Sequence, residues 1–222
     1  MIKAKQKPSA EIRQLIAPYE RILILGCGTC VTISFAGGEK EVGLLASTLR
    51  IASAMDGQNK TFAEATVQRQ CEWEFIDAVA DQIKRVDAVL SLACGIGVQA
   101  LAERYPDKVV LPGVNTTFLG MAIEHGLMVE RCRACGDCVL GLTAGICPIA
   151  RCAKNLLNGP CGGSQNGKCE VNPDTDCAWQ LIYERLARLG QLDRLAAAMA
   201  YKDWSKDYDG GPRRIVREDL KL

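Results

Sequence analysis

Twelve cysteines in 222 residues constrain this chain more than any other feature, because their tight spacing is not that of isolated buried thiols. They fall at Cys27, Cys30, Cys71 and Cys94, then at Cys132, Cys135, Cys138, Cys147, Cys152, Cys161, Cys169 and Cys177. A disulfide framework would suit a small secreted domain. Here the opening residues Met1-Ile2-Lys3-Ala4-Lys5-Gln6-Lys7-Pro8 carry charge with no apolar stretch behind them, and the first four cysteines interrupt a long α/β pattern. Cys-x-x-Cys pairs beside Gly and Pro in a reducing compartment suit metal ligation, since tight turns let several thiolates converge on one point. The expectation is a soluble, cytoplasmic protein whose twelve cysteines are all metal ligands.

Composition excludes other classes. Lys and Arg number 27 against 26 Asp and Glu, a net charge of +1, which gives no electrostatic reason to expect nucleic acid as a partner. No run approaches the ~20 apolar residues that a membrane-spanning helix needs. With 48% hydrophobic residues the chain can bury a core, and its length suits one α/β domain plus a smaller appendage.

Strand and helix patterns alternate through the first 130 residues. Ile12, Leu15 and Ile16 predict a short opening helix that stops near Pro18. Arg21-Ile22-Leu23-Ile24-Leu25 reads as a buried strand ended by Gly26-Cys27-Gly28-Thr29-Cys30, and Leu44, Leu45, Leu49 and Ile51 mark a helix closed by Asp56-Gly57. Phe62-Ala63-Glu64-Ala65-Thr66-Val67 is a strand leading to Cys71, followed by a helix through Phe75, Ile76, Val79, Ala80 and Ile83. Residues 86–93 form another strand, ending at Cys94-Gly95-Ile96-Gly97; a helix through Leu101 and a fourth strand at Val109-Val110-Leu111 follow. This alternation predicts an α/β domain over residues 1–130, a parallel sheet with flanking helices of Rossmann or flavodoxin type.

Cys27 with Cys30, Cys71, and Cys94 each follow the carboxyl end of a predicted parallel strand. Those ends share one edge of an open sheet, so the four thiolates are expected to meet there, at the place where such folds hold ligands. Four thiolates satisfy one [4Fe-4S] cluster, with the amides around Gly26, Gly28, Gly95 and Gly97 expected to bind it through hydrogen bonds to its sulfides. Zinc is the competing occupant. A redox dithiol at Cys27-Gly28-Thr29-Cys30 would leave Cys71 and Cys94 unexplained. The Gly26-x-Gly28 pair lacks the third glycine and the acidic residue of a dinucleotide fingerprint.

From Arg131 hydrophobic periodicity disappears and eight cysteines crowd into a module over residues 131–200. Cys132-x-x-Cys135-x-x-Cys138, followed by Cys147-Pro148, is close to the bacterial ferredoxin run, though eight residues replace three before the cysteine that precedes proline. With Cys152, Cys161, Cys169 and Cys177 the count matches two four-thiolate sites, and the sequence leaves their grouping open. One or two iron-sulfur clusters are expected here, zinc at one site being the alternative. Arg131, Arg133, Arg151, Lys154 and Lys168 either offset cluster charge or are ordinary solvated cations. Leu181, Ile182, Leu186 and Leu189 form the stripe of a closing helix opened by Asp176-Cys177-Ala178-Trp179.

Residues 201–222 read as an irregular tail with Asp209-Gly210-Gly211-Pro212, able to wrap a neighbouring surface, and its Trp204 is the better interface anchor. Trp73 and Trp179 read as core residues. Asn115-Thr116-Thr117-Phe118 reads as the cap of a further helix or as lining for the first cysteine site. The sole histidine, His125, reads as structural rather than catalytic.

Several motifs are together specific. Asn158-Gly159-Pro160-Cys161-Gly162-Gly163, Gly167-Lys168-Cys169-Glu170-Val171 and Asp176-Cys177-Ala178-Trp179 with Tyr183-Glu184-Arg185-Leu186 resemble the C-terminal domain family of methylenetetrahydrofolate reductases. Gly26-Cys27-Gly28-Thr29-Cys30, Gln70-Cys71, Ala93-Cys94-Gly95-Ile96-Gly97-Val98-Gln99 and Cys132-Arg133-Ala134-Cys135-Gly136-Asp137-Cys138 resemble the small iron-sulfur subunit of the two-subunit reductase of acetogenic one-carbon metabolism. The resemblance implies that flavin and folate belong to a TIM-barrel partner, a fold of ~250 residues for which this chain has no room beside its cysteine module. It implies a subunit of an oxidoreductase, with no catalytic residue of its own, that relays electrons between an external donor protein and the partner's FMN. The alternative is a zinc-binding scaffold without electron transfer.

Overall fold

The computed structural model describes every residue except 125, 209, 210, 217, 218 and 220–222. His125 and the Asp209-Gly210 turn therefore lie outside the described residues. In chain order the elements are β1 (Ile2–Gln6), α1 (Ser9–Leu15), β2 (Arg21–Cys27), α2 (Cys30–Ile33), α3 (Glu39–Met55), β3 (Thr61–Val67), α4 (Trp73–Asp77) and α5 (Ala80–Arg85). Then come β4 (Ala88–Ser91), α6 (Gly95–Arg104), β5 (Val109–Pro112), β6 (Val114–Glu124), β7 (Leu127–Cys132), α7 (Pro148–Arg151) and α8 (Ala178–Arg188). Contacts divide the chain into two units, Met1–Val129 and Glu130–Leu222.

The first unit is built on a four-stranded parallel sheet of order β3-β2-β4-β5, flanked by helices. The central strand β2 explains the layering. Its Ile22 and Ile24 face a core shared with Ile12 and Ile16 beside α1 and with Val42, Leu45 and Leu49 of α3, whereas Leu23 and Leu25 face Ile76, Ile83 and Leu101 on the other side. All four are fully buried, as a strand covered on both faces requires. From β2 the chain steps one way to β3 and then crosses to β4 on the other side, so the strand order reverses between β2 and β4.

Local physics adjusts several sequence expectations. The long helix α3 starts where the Glu41 carboxylate accepts from the Gly38 amide at 3.0 Å. It buries Val42, Leu45, Ala46 and Leu49 while leaving Leu44 and Ile51 exposed, because only the former set shares one face at 3.6 residues per turn. The expected helix over Phe75–Ile83 is two short ones, α4 and α5, broken at Ala78 and Val79. Trp73 is half exposed, contrary to a core role: its indole N–H donates to Ala100 O at 3.2 Å and Arg104 lies over its ring.

A second sheet, antiparallel and of order β1-β6-β7, was not anticipated. The charged amino-terminal stretch is its strand β1, paired with β6 from Ile2 opposite Leu119 to Gln6 opposite Val114. Asn115, Thr116, Thr117 and Phe118 accordingly lie within β6 and cap no helix.

The second unit carries the remaining eight cysteines on turns and short elements. Its apolar centre is the buried face of α8, Trp179, Ile182 and Leu186, with Ile146, Cys152, Leu156, Cys177 and Met199 packed around it; Leu189 stays exposed. Trp179 is thus a core residue, and its indole N–H donates to Leu156 O at 2.9 Å. Residues 201–208 fold back onto the Cys132–Cys138 loop of the same unit.

Candidate metal centres

All twelve cysteines are free. In the first unit the parallel register sets three of them on one edge. Cys27 closes β2 opposite Val67 of β3, Cys71 follows four residues after Val67, and Cys94 follows three residues after Ser91 on β4. The three come from adjacent strands at the reversal of strand order.

Their proximity has an electrostatic signature. Partial desolvation pushes the Cys71 thiol above its ordinary value; its own backbone amide opposes this, and negative charge on Cys27, Cys94 and Glu72 raises it further. Cys30 begins α2, three residues beyond Cys27. Among the described residues no three Cys, His or carboxylate side chains are gathered as a chelating group for a single metal ion.

A buried polar group ties these strand ends together. Gln70, fully buried, donates from Nε2 to Leu25 O at 2.8 Å and to Gly26 O at 3.0 Å, and its Oε1 accepts from Ser91. One side chain next to Cys71 thus holds the ends of β2 and β4. The glycines are engaged within the protein. The Gly28 amide donates to Val67 O at 2.8 Å and the Gly95 amide to Thr116 Oγ1 at 2.9 Å. A Cβ on Gly97 would lie 2.6 Å from Ala93 Cβ and 2.9 Å from Gln70 Cβ, so its bareness lets α6 approach the segments that carry Cys71 and Cys94.

In the second unit four of the eight cysteines lie around one space. Cys152, Cys161, Cys169 and Cys177 line one small cavity, with Arg151 and Lys154 in its wall. Backbone amides of Asn172, Val171 and Ala153 hold the Cys169 thiol below its ordinary value despite some desolvation, with Lys154 adding to the effect. Cys132, Cys135 and Cys138 share a separate loop, and Cys147 caps α7. The Ala134 amide faces Cys132 Sγ at 3.3 Å and the Ala150 amide faces Cys147 Sγ at 3.4 Å. This donor set of soft sulfur ligands fits iron-sulfur clusters and zinc alike.

The cations among these cysteines have partners of their own. Lys154 pairs with Glu170, Lys168 with Asp176 at 2.6 Å, and Arg133 lies 3.7 Å from Asp207; Arg131 donates to Glu130 O. Burial pushes the Arg151 guanidinium below its ordinary range; Arg131 acts the same way, whereas Asp176 and Cys147 favour its charge. The roles of Ser91 and Lys202 escaped the sequence reading; Gln70 stood out only as the neighbour of Cys71, and Thr116 only within Asn115-Thr116-Thr117-Phe118 as candidate lining of the first cysteine site.

The first unit is thus an α/β unit with three thiols near its switch point, and the second a cysteine-rich unit in which four cysteines line one cavity. Residues 111–205 match the family described as methylene-tetrahydrofolate reductase C terminal, less than half of the chain, reaching from the end of β5 to Ser205. No curated protein and no solved structure matches the chain. Among the described residues no helix is long and apolar enough to cross a membrane.

Proposed function

We propose that this chain is the iron-sulfur subunit of a methylenetetrahydrofolate reductase complex, relaying electrons to or from the FMN of a TIM-barrel partner. The observation that carries the reading is the placement of Cys27, Cys71 and Cys94 at the carboxyl ends of three adjacent parallel strands, where Cys71 senses the charge of the other two. Cys30 supplies the fourth thiolate. The family match over residues 111–205 supplies the reductase context.

Cys27, Cys30, Cys71 and Cys94 would hold one cluster; Cys132, Cys135, Cys138 and Cys147 a second; Cys152, Cys161, Cys169 and Cys177 a third site. Bound clusters supply one-electron transfer. The chain's own part is to favour the Cys169 thiolate through the amides of Asn172, Val171 and Ala153, to hold Cys132 and Cys147 with the amides of Ala134 and Ala150, and to offset cluster charge with Arg151 and Lys154. For the third site one observation favours zinc in a structural role: Cys152 and Cys177 pack directly against the unit's core of Trp179, Ile182 and Leu186.

Anaerobic purification with iron, zinc and acid-labile sulfide analysis tests the proposal. Iron with matching sulfide, at about four irons per cluster, and at most one zinc per chain are expected. Zinc throughout, with no sulfide, would replace the electron carrier by a scaffold.

A further inference from the structure

Lys202 is the most completely enclosed cation described, its side chain 1% exposed although it lies in the irregular tail. Its ammonium donates to Asp137 O at 2.7 Å and to Cys135 O at 3.4 Å, both within the Cys132–Cys138 loop, and lies 5.1 Å from the centre of the Trp204 ring. The nearest carboxylate oxygen, Asp137 Oδ2, is 4.0 Å away on a side chain 39% exposed, and it already accepts from the Asp203 amide. Around this contact the tail grips the loop at further points. Arg213 donates to Ala134 O at 3.2 Å and to Lys206 O at 2.5 Å, and Gly136, at φ 79°, lies so close that a Cβ would fall 2.4 Å from Lys206 O.

Hydrogen bonds to two carbonyls need only a neutral donor. Burying a full charge for that purpose is costly, and the exposed Asp137 carboxylate offsets it only in part. A buried cation beside a thiolate-bound cluster favours the more negatively charged, reduced state.

We propose that residues 202–208 strap the Cys132–Cys138 loop and that the enclosed Lys202 ammonium, balanced against Asp137, raises the reduction potential of the cluster assigned above to Cys132, Cys135, Cys138 and Cys147. Lys202 is then a positioning and tuning residue. The inference rests on the iron-sulfur reading above.

The test is a spectroscopically monitored redox titration, with iron counts, of the anaerobically purified full chain and three variants. Lys202→Gln keeps a hydrogen-bond donor and removes the charge; it should retain iron and shift one cluster's couple to more negative potential by about tenfold in its equilibrium constant, ~59 mV for one electron, leaving other clusters unmoved. Lys202→Arg should stay near the parent value. Asp137→Asn still accepts from Asp203 and should shift the same couple in the positive direction. Should Lys202→Gln lose its iron, Asp137→Asn decides alone: its positive shift upholds the tuning role, and an unmoved potential overturns it. Full iron with unmoved potentials in both variants overturns it as well. A parent chain without iron or a redox signal is a different outcome, one that removes the iron-sulfur reading itself.

Discussion

The Ser91 hydroxyl donates to Gln70 Oε1 at 2.7 Å, a buried bond that links the end of β4 to the residue before Cys71. Since Gln70 also donates to Leu25 O and Gly26 O, this side chain fixes the spacing of the strand ends that carry the first cysteine site. Replacing Ser91 by Ala leaves Gln70 Oε1 buried without its donor, which should cost about 1–3 kcal/mol. Gln70→Ala strips two backbone acceptors and opens a void, for an expected loss of about 3 kcal/mol. Urea unfolding of both variants checks the order; equal stability of Gln70→Ala and the parent would refute it.

With the proposed [4Fe-4S] cluster at the strand edge, Cys94→Ser should lose about four irons per chain and leave any metal of the second unit in place. Iron analysis of the purified variant reads this directly. An unchanged count would take Cys94 out of the ligand set.

Gly97→Val tests the close approach of α6. Leaving glycine for a better helix former gains up to about 1 kcal/mol in an exposed helix, but the new Cβ meets two other Cβ atoms that cannot swing aside, and overpacking costs about 1–3 kcal/mol. The net expectation is lower stability together with weaker retention of the metal proposed for the strand edge. A thermal melt and an iron count at matched protein concentration would reveal a gain instead.

Asp87 provides the pH dependence. The Arg21 guanidinium, the backbone amides of Arg21 and Glu20, and the Arg21 charge hold its carboxyl at about 2, against desolvation. A depressed carboxylate stabilises the fold above its unfolded value of ~3.9 and loses that contribution as pH falls toward 2. Asp87→Asn should therefore be less stable than the parent at neutral pH, with the gap closing between about pH 4 and pH 2. Urea midpoints measured across that window give the answer, and a gap that widened on acidification would reverse the assignment.

Trp204 is 40% exposed and carries Lys202 over its ring, so it is partly committed within its own unit. Its exposed part is still available as an anchor. Trp204→Ala in the full chain should weaken association with the proposed flavoprotein partner by about tenfold or more if it is a hot spot. Titration calorimetry that finds the same affinity would confine Trp204 to packing.

The parallel sheet was legible because its signals are local. Arg21-Ile22-Leu23-Ile24-Leu25 can hardly be other than a covered strand, and the Gly-Cys punctuation after it marks the turn. The antiparallel sheet was not, since β1 pairs with a strand more than a hundred residues away and its five residues show only charge, with no strand pattern of their own. Trp73 misled for a related reason: an indole reads as core, yet α4 turns it toward Arg104 and Ala100 at the surface. In the second unit the cysteine spacings announced thiolate sites but could not distribute them. The shared cavity of Cys152, Cys161, Cys169 and Cys177 depends on how α8 folds back, which no spacing encodes.

By itself the sequence determined that the chain has a covered parallel sheet, that cysteines follow its strand ends, and that a second cluster of eight lies beyond. These follow from periodicity and spacing, which act over a few residues. Tertiary structure alone decided that Gln70 bridges β2 and β4, that Thr116 reaches the Gly95 amide beside Cys94, and that Lys202 is enclosed against the Cys135–Asp137 carbonyls. Each of those contacts joins residues 21 or more positions apart, and a hydrogen bond of that span exists only once packing has brought its donor to its acceptor.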